Sequence, residues 1–398
     1  MPSATLTLEP RDGFHFKDGR GWHSEVASHA RAVDWPFPPT LLGALRTAWG
    51  RANEGEQTFT RDDWLSRTKP ICLGANLPLR RRIGEAWRAG HRMWPRPADA
   101  WRPEGTSAAT RLEPKPEDVA GQSLYSADDN PADRLWFASP DSQVKAAELP
   151  LWWTDAEWLA WLRGQAVEWP DERDLLSELP ARRLPRRVQV HVGIDPETLT
   201  GRDGSLFSAD VCETLHKARG DGRIAWYEWG IALEADTPES AAPLDGLPFT
   251  LGGDSRLARC LEGPQGVFAP PADFGPAAGG LRLFVVTPVW FEGGWLPDGF
   301  GAGGGGVLEG TLPGVAGRMI LRAALVNRPL NLSGWDLVAR GPKNTRRLVP
   351  PGAVYFFQKA SGEAFTPQEL AALWLAGWGQ DTGSGLGRVV AGRWDPGD

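Results

Sequence analysis

Arg186-Arg187-Val188-Gln189-Val190-His191-Val192-Gly193-Ile194-Asp195-Pro196 begins a stretch, running to Asp210, whose reading decides the fold. Val188, Val190, Val192 and Ile194 recur at period two, the signature of a strand with one buried face. Arg186, Arg187, Gln189 and His191 fall largely on the other side of that pattern. Asp195-Pro196 and Gly201-Arg202-Asp203-Gly204 then interrupt it, and Leu206-Phe207 restores apolar character. Two readings stay open: a solvated hairpin on a globular enzyme, or a protruding arm whose Arg and His residues lie against a polyanion.

Composition narrows the class. With 398 residues, the chain exceeds one ordinary core, so two domains with an insertion are expected. Hydrophobic content of 41% and charged content of 23% are those of a globular protein. Met1-Pro2-Ser3-Ala4 lacks the basic and apolar regions of a signal peptide, and no apolar run approaches a membrane span. Three scattered cysteines suit a reducing compartment and give no metal spacing. The sequence thus predicts a soluble cytoplasmic protein that engages no membrane. A net charge of −7 speaks against a free-standing nucleic-acid binder but leaves room for a local basic track. Only seven of the 43 basic residues are lysines. Arginine pairs bidentately with phosphate and stacks on bases, although GC-rich codon usage gives the same bias. The 21 tryptophans fit interface anchors, stacking platforms or plain core.

Along the chain, Thr5 to Pro10 alternates like a first strand. Thr40 is placed to cap a helix whose Leu41, Leu42, Leu45, Ala48 and Trp49 make one stripe. Gly43 lies far from that stripe, where close approach of another backbone or simple tolerance would account for it, and Arg46 lies on its flank. Arg80, Arg81, Arg82, Arg88, Arg92 and Arg96 are interleaved with Trp87 and Trp94, a composition shared by single-strand binders and by solvated helices with core tryptophans. The stretch 95–150 reads as loop or insertion. Thr154-Asp155-Ala156-Glu157 and Thr366-Pro367-Gln368-Glu369 read as capping boxes. A helical turn is expected over 211–219, a long strand over 222–236 and a linker over 237–243. The order of elements, with more strand than helix, predicts an α+β fold of the ferredoxin or RRM type, with room for twin copies.

The chemistry is thin. Gly383-Ser384-Gly385-Leu386-Gly387-Arg388 is neither a Walker loop nor GxGxxG, and it precedes a strand instead of following one. Its backbone amides could still cradle phosphate, with Arg388 adding charge. Six scattered histidines without HExxH or CxxC give no metal centre, and no cofactor is expected. His15, His23 and His29 fit either metal-free RNA cleavage or packing. No GxSxG nucleophile motif is present.

Taken together, these residues resemble a known family, the RAMP proteins of type III CRISPR effectors, most closely the third Cmr subunit of type III-B complexes. Phe16-Lys17-Asp18-Gly19-Arg20 is similar to its F-[RK]-D-G-R opening, and Pro38-Pro39-Thr40-Leu41-Leu42-Gly43-Ala44-Leu45-Arg46 to its P-x-T-x-x-G-A-L-R helix. His191-Val192-Gly193-Ile194-Asp195, with Thr198, Thr200, Gly204 and Leu206-Phe207, resembles its arm. Leu251-Gly252-Gly253, Gly334-Trp335-Asp336, Val349-Pro350-Pro351-Gly352-Ala353-Val354-Tyr355-Phe356 and Gly385-Leu386-Gly387 with Gly392 continue the match in order. Lys17 for the commoner arginine, Gly21 for proline and Pro351 for alanine are mild departures.

The resemblance implies two ferredoxin-like (RRM-like) domains with a protruding β-hairpin arm and loop insertions. We expect residues 1–236, with an insertion around 51–180 and the arm at 186–210, and then residues 237–398 with the glycine-rich loop. It also implies a non-catalytic subunit that binds the 5′ tag of CRISPR RNA beside the large polymerase-like Cmr subunit and the backbone RAMP subunits. The RNA-binding residues expected on these grounds are Lys17, Arg20, Gly43, Arg46, Arg186, Arg187, His191, Arg202, Gly385, Gly387 and Arg388. A metal-independent RAMP endoribonuclease using His15 or His29 is the alternative. A carbohydrate-binding or hydrolytic protein, suggested by the tryptophans alone, is a third reading.

Overall fold

Ser3 to Pro10 form a strand because Leu6 and Leu8 bury one face while Thr7 fills the other between neighbours. In the computed structural model of the chain, which describes residues 3–17, 29–54, 59–116, 135–140, 144–169, 182–220, 223–238, 244–336 and 341–396, this strand sits inside an antiparallel sheet. The chain divides into two units, both discontinuous. Met1–His91, Pro180–Val267 and Asn331–Arg346 form the first; Arg92–Leu179, Phe268–Leu330 and Arg347–Asp398 form the second.

The first unit contains β1 (Ser3–Pro10), β2 (His29–Ala30), α1 (Pro38–Asn53), α2 (Arg61–Thr68) and β3 (Cys72–Arg82). After the excursion into the second unit come β4 (Arg186–Ile194), β5 (Gly201–Cys212), β6 (Leu215–Gly220), β7 (Arg223–Asp236), β8 (Pro248–Thr250) and β9 (Leu257–Glu262). β1 pairs antiparallel with β7 on one side and with β9 on the other, and β7 pairs with β3. Four strands therefore lie side by side in the order β9-β1-β7-β3, with β8 beyond β9 and β6 continuing along β7. α1 buries the expected stripe: Leu41, Leu42, Leu45, Ala48 and Trp49 are all inside.

The second unit holds α3 (Asp155–Leu162), β10 (Gly280–Val285), β11 (Leu308–Gly310), β12 (Met319–Leu325), β13 (Val354–Lys359), α4 (Pro367–Ala372) and β14 (Arg388–Trp394). Its sheet runs β11-β12-β13-β10-β14, antiparallel throughout, with a short strand at each edge. Numbered by chain position among themselves, the side-by-side strands β1, β3, β7, β9 of one sheet and β10, β12, β13, β14 of the other share one order, 4-1-3-2. Every residue of β10 is buried, and Leu281, Leu283, Val285, Tyr355, Phe357, Val389 and Ala391 form the centre of its core. Both predicted capping boxes are present, Thr154 with Glu157 and Thr366 with Glu369.

Several expectations need correction. α1 starts at Pro38, not after Thr40: prolines fill its first positions, where a missing N–H costs nothing, and no side chain caps it. Residues 211–219 extend instead of coiling, because β6 alternates His216 and Ala218 inward with Leu215 and Lys217 outward. The stretch 51–180 is not one insertion, since β3 is a paired strand of the first sheet. Likewise β8 and β9 lie beyond residue 237 yet pair within that first sheet. Arg20, His23 and most of the 237–243 linker lie outside the described residues.

Candidate nucleic-acid interface

β4 and β5 make the arm, pairing from Arg186 with Cys212 to Val192 with Leu206 before an irregularity leads to Gly201. At its tip the Asp195 carboxylate accepts the backbone N–H groups of Glu197 (2.9 Å) and Thr198 (3.1 Å), which hold its pKa below the usual carboxylate range. The hydroxyls of Thr198 and Thr200 bond each other at 2.8 Å. The D…T-x-T signature thus builds the turn.

The strand prediction for 188–194 is right and its buried face is not. Val188, Val190, Val192 and Ile194, with Leu206 across the pair, are 45–64% exposed. The other face is the covered one. There His191 stacks on Phe207 with centroids 5.0 Å apart, Arg256 donates to Gln189 at 2.8 Å, and Ala209 and Val211 are buried. Alternation shows that two faces differ; it does not show which one meets the body of the protein.

The arm's cations are engaged within the chain. Arg186 bridges Asp34 (2.6 Å) and Asp210 (3.3 Å); Arg187 pairs with Glu213; Arg202 lies 3.7 Å from Asp195. Partial burial works against the Arg186 charge, yet the bond to Asp34 and the Asp34 and Asp210 charges raise its pKa above the ordinary guanidinium value. Such exposed pairs are worth little and exchange readily for another anion. Arg187 and Arg202 are more than half exposed, so phosphate can reach both.

At the arm's base, His29 is a bridge: Nδ1 meets Ser208 Oγ at 2.8 Å and Nε2 meets Asp210 Oδ1 at 3.0 Å. His15 is buried, with Nδ1 on the Asp210 carbonyl at 2.7 Å. Both of His29's ring nitrogens are therefore used in holding β2 and β5 together. Lys17 pairs through its backbone with Ala32 in the same region.

On α1, Gly43 is exposed, and a Cβ there would meet nothing within 4 Å. Arg46, one turn on, donates to the carbonyls of Ile71 (2.8 Å) and Lys69 (2.9 Å), tying the helix to the entry of β3. The basic cluster is likewise absorbed. Arg81 pairs with Glu9 and Glu228 at 2.7 Å each and lies over Trp87, while in the second unit Arg92 pairs with Asp155 at 2.8 Å.

The glycine turn belongs to the second unit. Gly385 and Gly387 have φ of +84° and +69°, and their amides donate to Thr382 O (3.0 Å) and Pro288 O (2.9 Å). A Cβ on Gly387 would stand 2.0 Å from Trp378 O. Arg388 donates to Thr382 O at 2.9 Å. The left-handed φ at both positions and close packing at Gly387 explain these glycines, and their amides point at protein carbonyls. The same unit holds an open, mainly apolar cavity of about 450 Å³, in which Arg347 is the one ionisable group among the described lining residues. Among the described residues no His, Cys, Asp and Glu cluster could hold a metal, and no helix is long and apolar enough to cross a membrane.

Comparison with known proteins agrees with the motif reading. The family described as CRISPR-associated protein (Cas_Cmr3) matches residues 6–394. No curated protein matches the chain. Among solved structures, a chain of the type III-B Cmr-beta complex bound to cognate target RNA and AMPPnP aligns at TM-score 0.42 and 12% identity, covering 88% of this chain and 86% of that one. A chain of the Cmr-beta complex bound to cognate target RNA alone gives 0.40 and 11% with the same coverage. One from the apo state gives 0.22 and 10%, covering 65% of this chain and 96% of that one.

Proposed function

The chain belongs to the Cas_Cmr3 family of CRISPR-associated proteins, which makes it a type III-B effector subunit, and on that premise we propose a non-catalytic scaffold that binds the 5′ tag of CRISPR RNA. The large polymerase-like subunit and the backbone RAMP subunits are its protein partners. Both units are read as ferredoxin-like halves on the strength of their common strand order, the first keeping α1 and the second α4 as its packing helix.

The arm is the observation that carries this reading. An aliphatic stripe from Val188 to Ile194, held out on a two-stranded ribbon, is a surface built to be covered. It suits the flank of a backbone subunit, with Arg187 and Arg202 left to exchange their carboxylates for phosphate. The exposed face of α1 at Gly43 lets a backbone approach without obstruction, and Lys17 adds charge near the arm's base. His15 and His29, engaged as described, favour the scaffold over the endoribonuclease.

The test is tag-RNA binding across a salt series, with Arg187→Ala/Arg202→Ala against the parent. Two lost phosphate contacts on a single-stranded tag should flatten the slope of log K against log salt by about 1.4. An unchanged slope in the folded variant removes these contacts. Cleavage products from the pure parent protein would favour the ribonuclease.

A further inference from the structure

We infer that the uncovered end of the first unit's sheet, centred on Trp226, is a docking site for a protein subunit that presents apolar side chains among carboxylates. The inference rests on the scaffold reading and assigns the site to the large polymerase-like subunit.

The geometry is a small lattice on three strands. β6 pairs with β7 so that Lys217 faces Trp226 and Leu215 faces Glu228. On the other side Ile83 N donates to Trp226 O at 3.0 Å, extending β3 past Arg82. Lys217, Trp226 and Ile83 thus form one row, Leu215, Glu228 and Arg81 the next, with Ile224 beyond. Ile224 is 70% exposed, Ile83 50%, Trp226 and Leu215 48%.

The opposite face of the same strands is closed. His216 stacks near Tyr227 and Trp229, at 6.3 and 6.5 Å, and Ala218, Tyr227 and Trp229 are buried. A sheet covered on one side normally turns polar residues outward. Here the outward set is Leu, Ile, Trp and Ile, with the Arg81–Glu228 pair beside it. An exposed tryptophan on a rigid element, surrounded by aliphatic groups and edged by charge, is the anatomy of an interface hot spot.

Charge and side-chain type select the occupant. Between positions 216 and 224 the chain carries Lys217, Arg219 and Arg223 against Asp221 alone, and the Lys217 ammonium lies 5.1 Å from the Trp226 ring centre. An acidic partner complements this end. A second copy would set the same cations against each other across a twofold axis. RNA gains little, since three of the four large side chains are aliphatic and offer neither a π-face nor a phosphate donor.

The test uses the full chain carrying Ile224→Glu/Trp226→Glu, with Trp226→Phe as the conservative control. Co-elution with the large subunit, tag-RNA binding and self-association are each measured. We expect affinity for the subunit to fall roughly thirtyfold or more in the double variant. RNA binding should stay at the parental level, and Trp226→Phe should keep most of the affinity. Equal co-elution of parent and double variant overturns the docking site while leaving the scaffold reading intact. Loss of RNA binding with co-elution intact makes the surface an RNA site, and loss of a parental dimer makes it a self-contact; either result overturns the inference. A parent that co-elutes with none of the effector subunits sinks the scaffold reading itself, and the docking site with it.

Discussion

Arg282 Nη1 stands 2.8 Å from Asp99 Oδ2 with neither side chain exposed to solvent. The same guanidinium donates to the carbonyls of Trp161 and Arg393 at 2.6 Å each, and Trp161 Nε1 donates to the other Asp99 oxygen at 2.9 Å. Burial pulls the Arg282 pKa down and the Asp99 charge opposes that pull. The network joins the 92–179 segment to β10 and β14 within the second unit.

Removing one partner of this pair leaves a buried charge with no counter-ion, which costs about 3–5 kcal/mol. Asp99→Ala should therefore lower the urea midpoint of the second unit sharply. Arg282→Met combined with Asp99→Leu should recover part of that loss, because neither charge then remains. A double variant no more stable than Asp99→Ala would mean the pair matters through its hydrogen bonds to backbone more than through its charge.

The two motif glycines should respond oppositely to alanine. At Gly387 a positive φ and the Trp378 carbonyl leave no room for a methyl group, so Gly387→Ala should lower the thermal midpoint by several degrees. Gly43→Ala on the open face of α1 should gain about 0.5–1 kcal/mol. If tag-RNA affinity falls while stability rises, Gly43 lies under the RNA; thermal scans read beside binding curves decide it.

Thiol reactivity should separate the three cysteines. Burial pushes the Cys212 thiol up to about 11 and the Cys260 thiol up to about 12. Since the thiolate is the reacting species, both should resist modification at neutral pH in the native protein. Cys72, half-buried at the start of β3, should label first, and all three should label in denaturant. Peptide mapping after a short pulse of a thiol-selective reagent checks the order.

Local signals in the sequence were reliable because both partners are close in the chain. The α1 stripe and the capping boxes at Thr154 and Thr366 are legible directly, and a third box, Thr60 with Asp63, is less so because Asp stands where the signature has Glu or Gln. β3 is not legible in the sequence, for a physical reason. Leu73 and Ala75 through Leu79 are buried, so both faces are covered and no alternation marks the strand. The glycines at 385 and 387 looked alike as phosphate cradle or tight turn. Trp378 O and Pro288 O hold the backbone of Gly387, and Thr287 Oγ1 donates to the Gly385 carbonyl at 2.9 Å, so other stretches of the chain decide where both sit. Among the described residues the family motifs fall on turns, a helix face and strand junctions, where local chemistry fixes the residue type, and the family match runs over residues 6–394.

Ser3 pairs with Asp236, and β1 completes its other edge only with Leu257–Glu262. The second unit takes up residues 92–179 but cannot close its sheet until Arg388–Trp394 is made. During synthesis the first strand therefore leaves the ribosome long before either neighbour exists, and most of an early tryptophan-rich segment waits for the C-terminus. Such long-range closure makes folding slow and leaves open edges in nascent intermediates. Expression of this chain should be sensitive to temperature and chaperone supply, and a gene cut at 236/237 would divide both folding units at once.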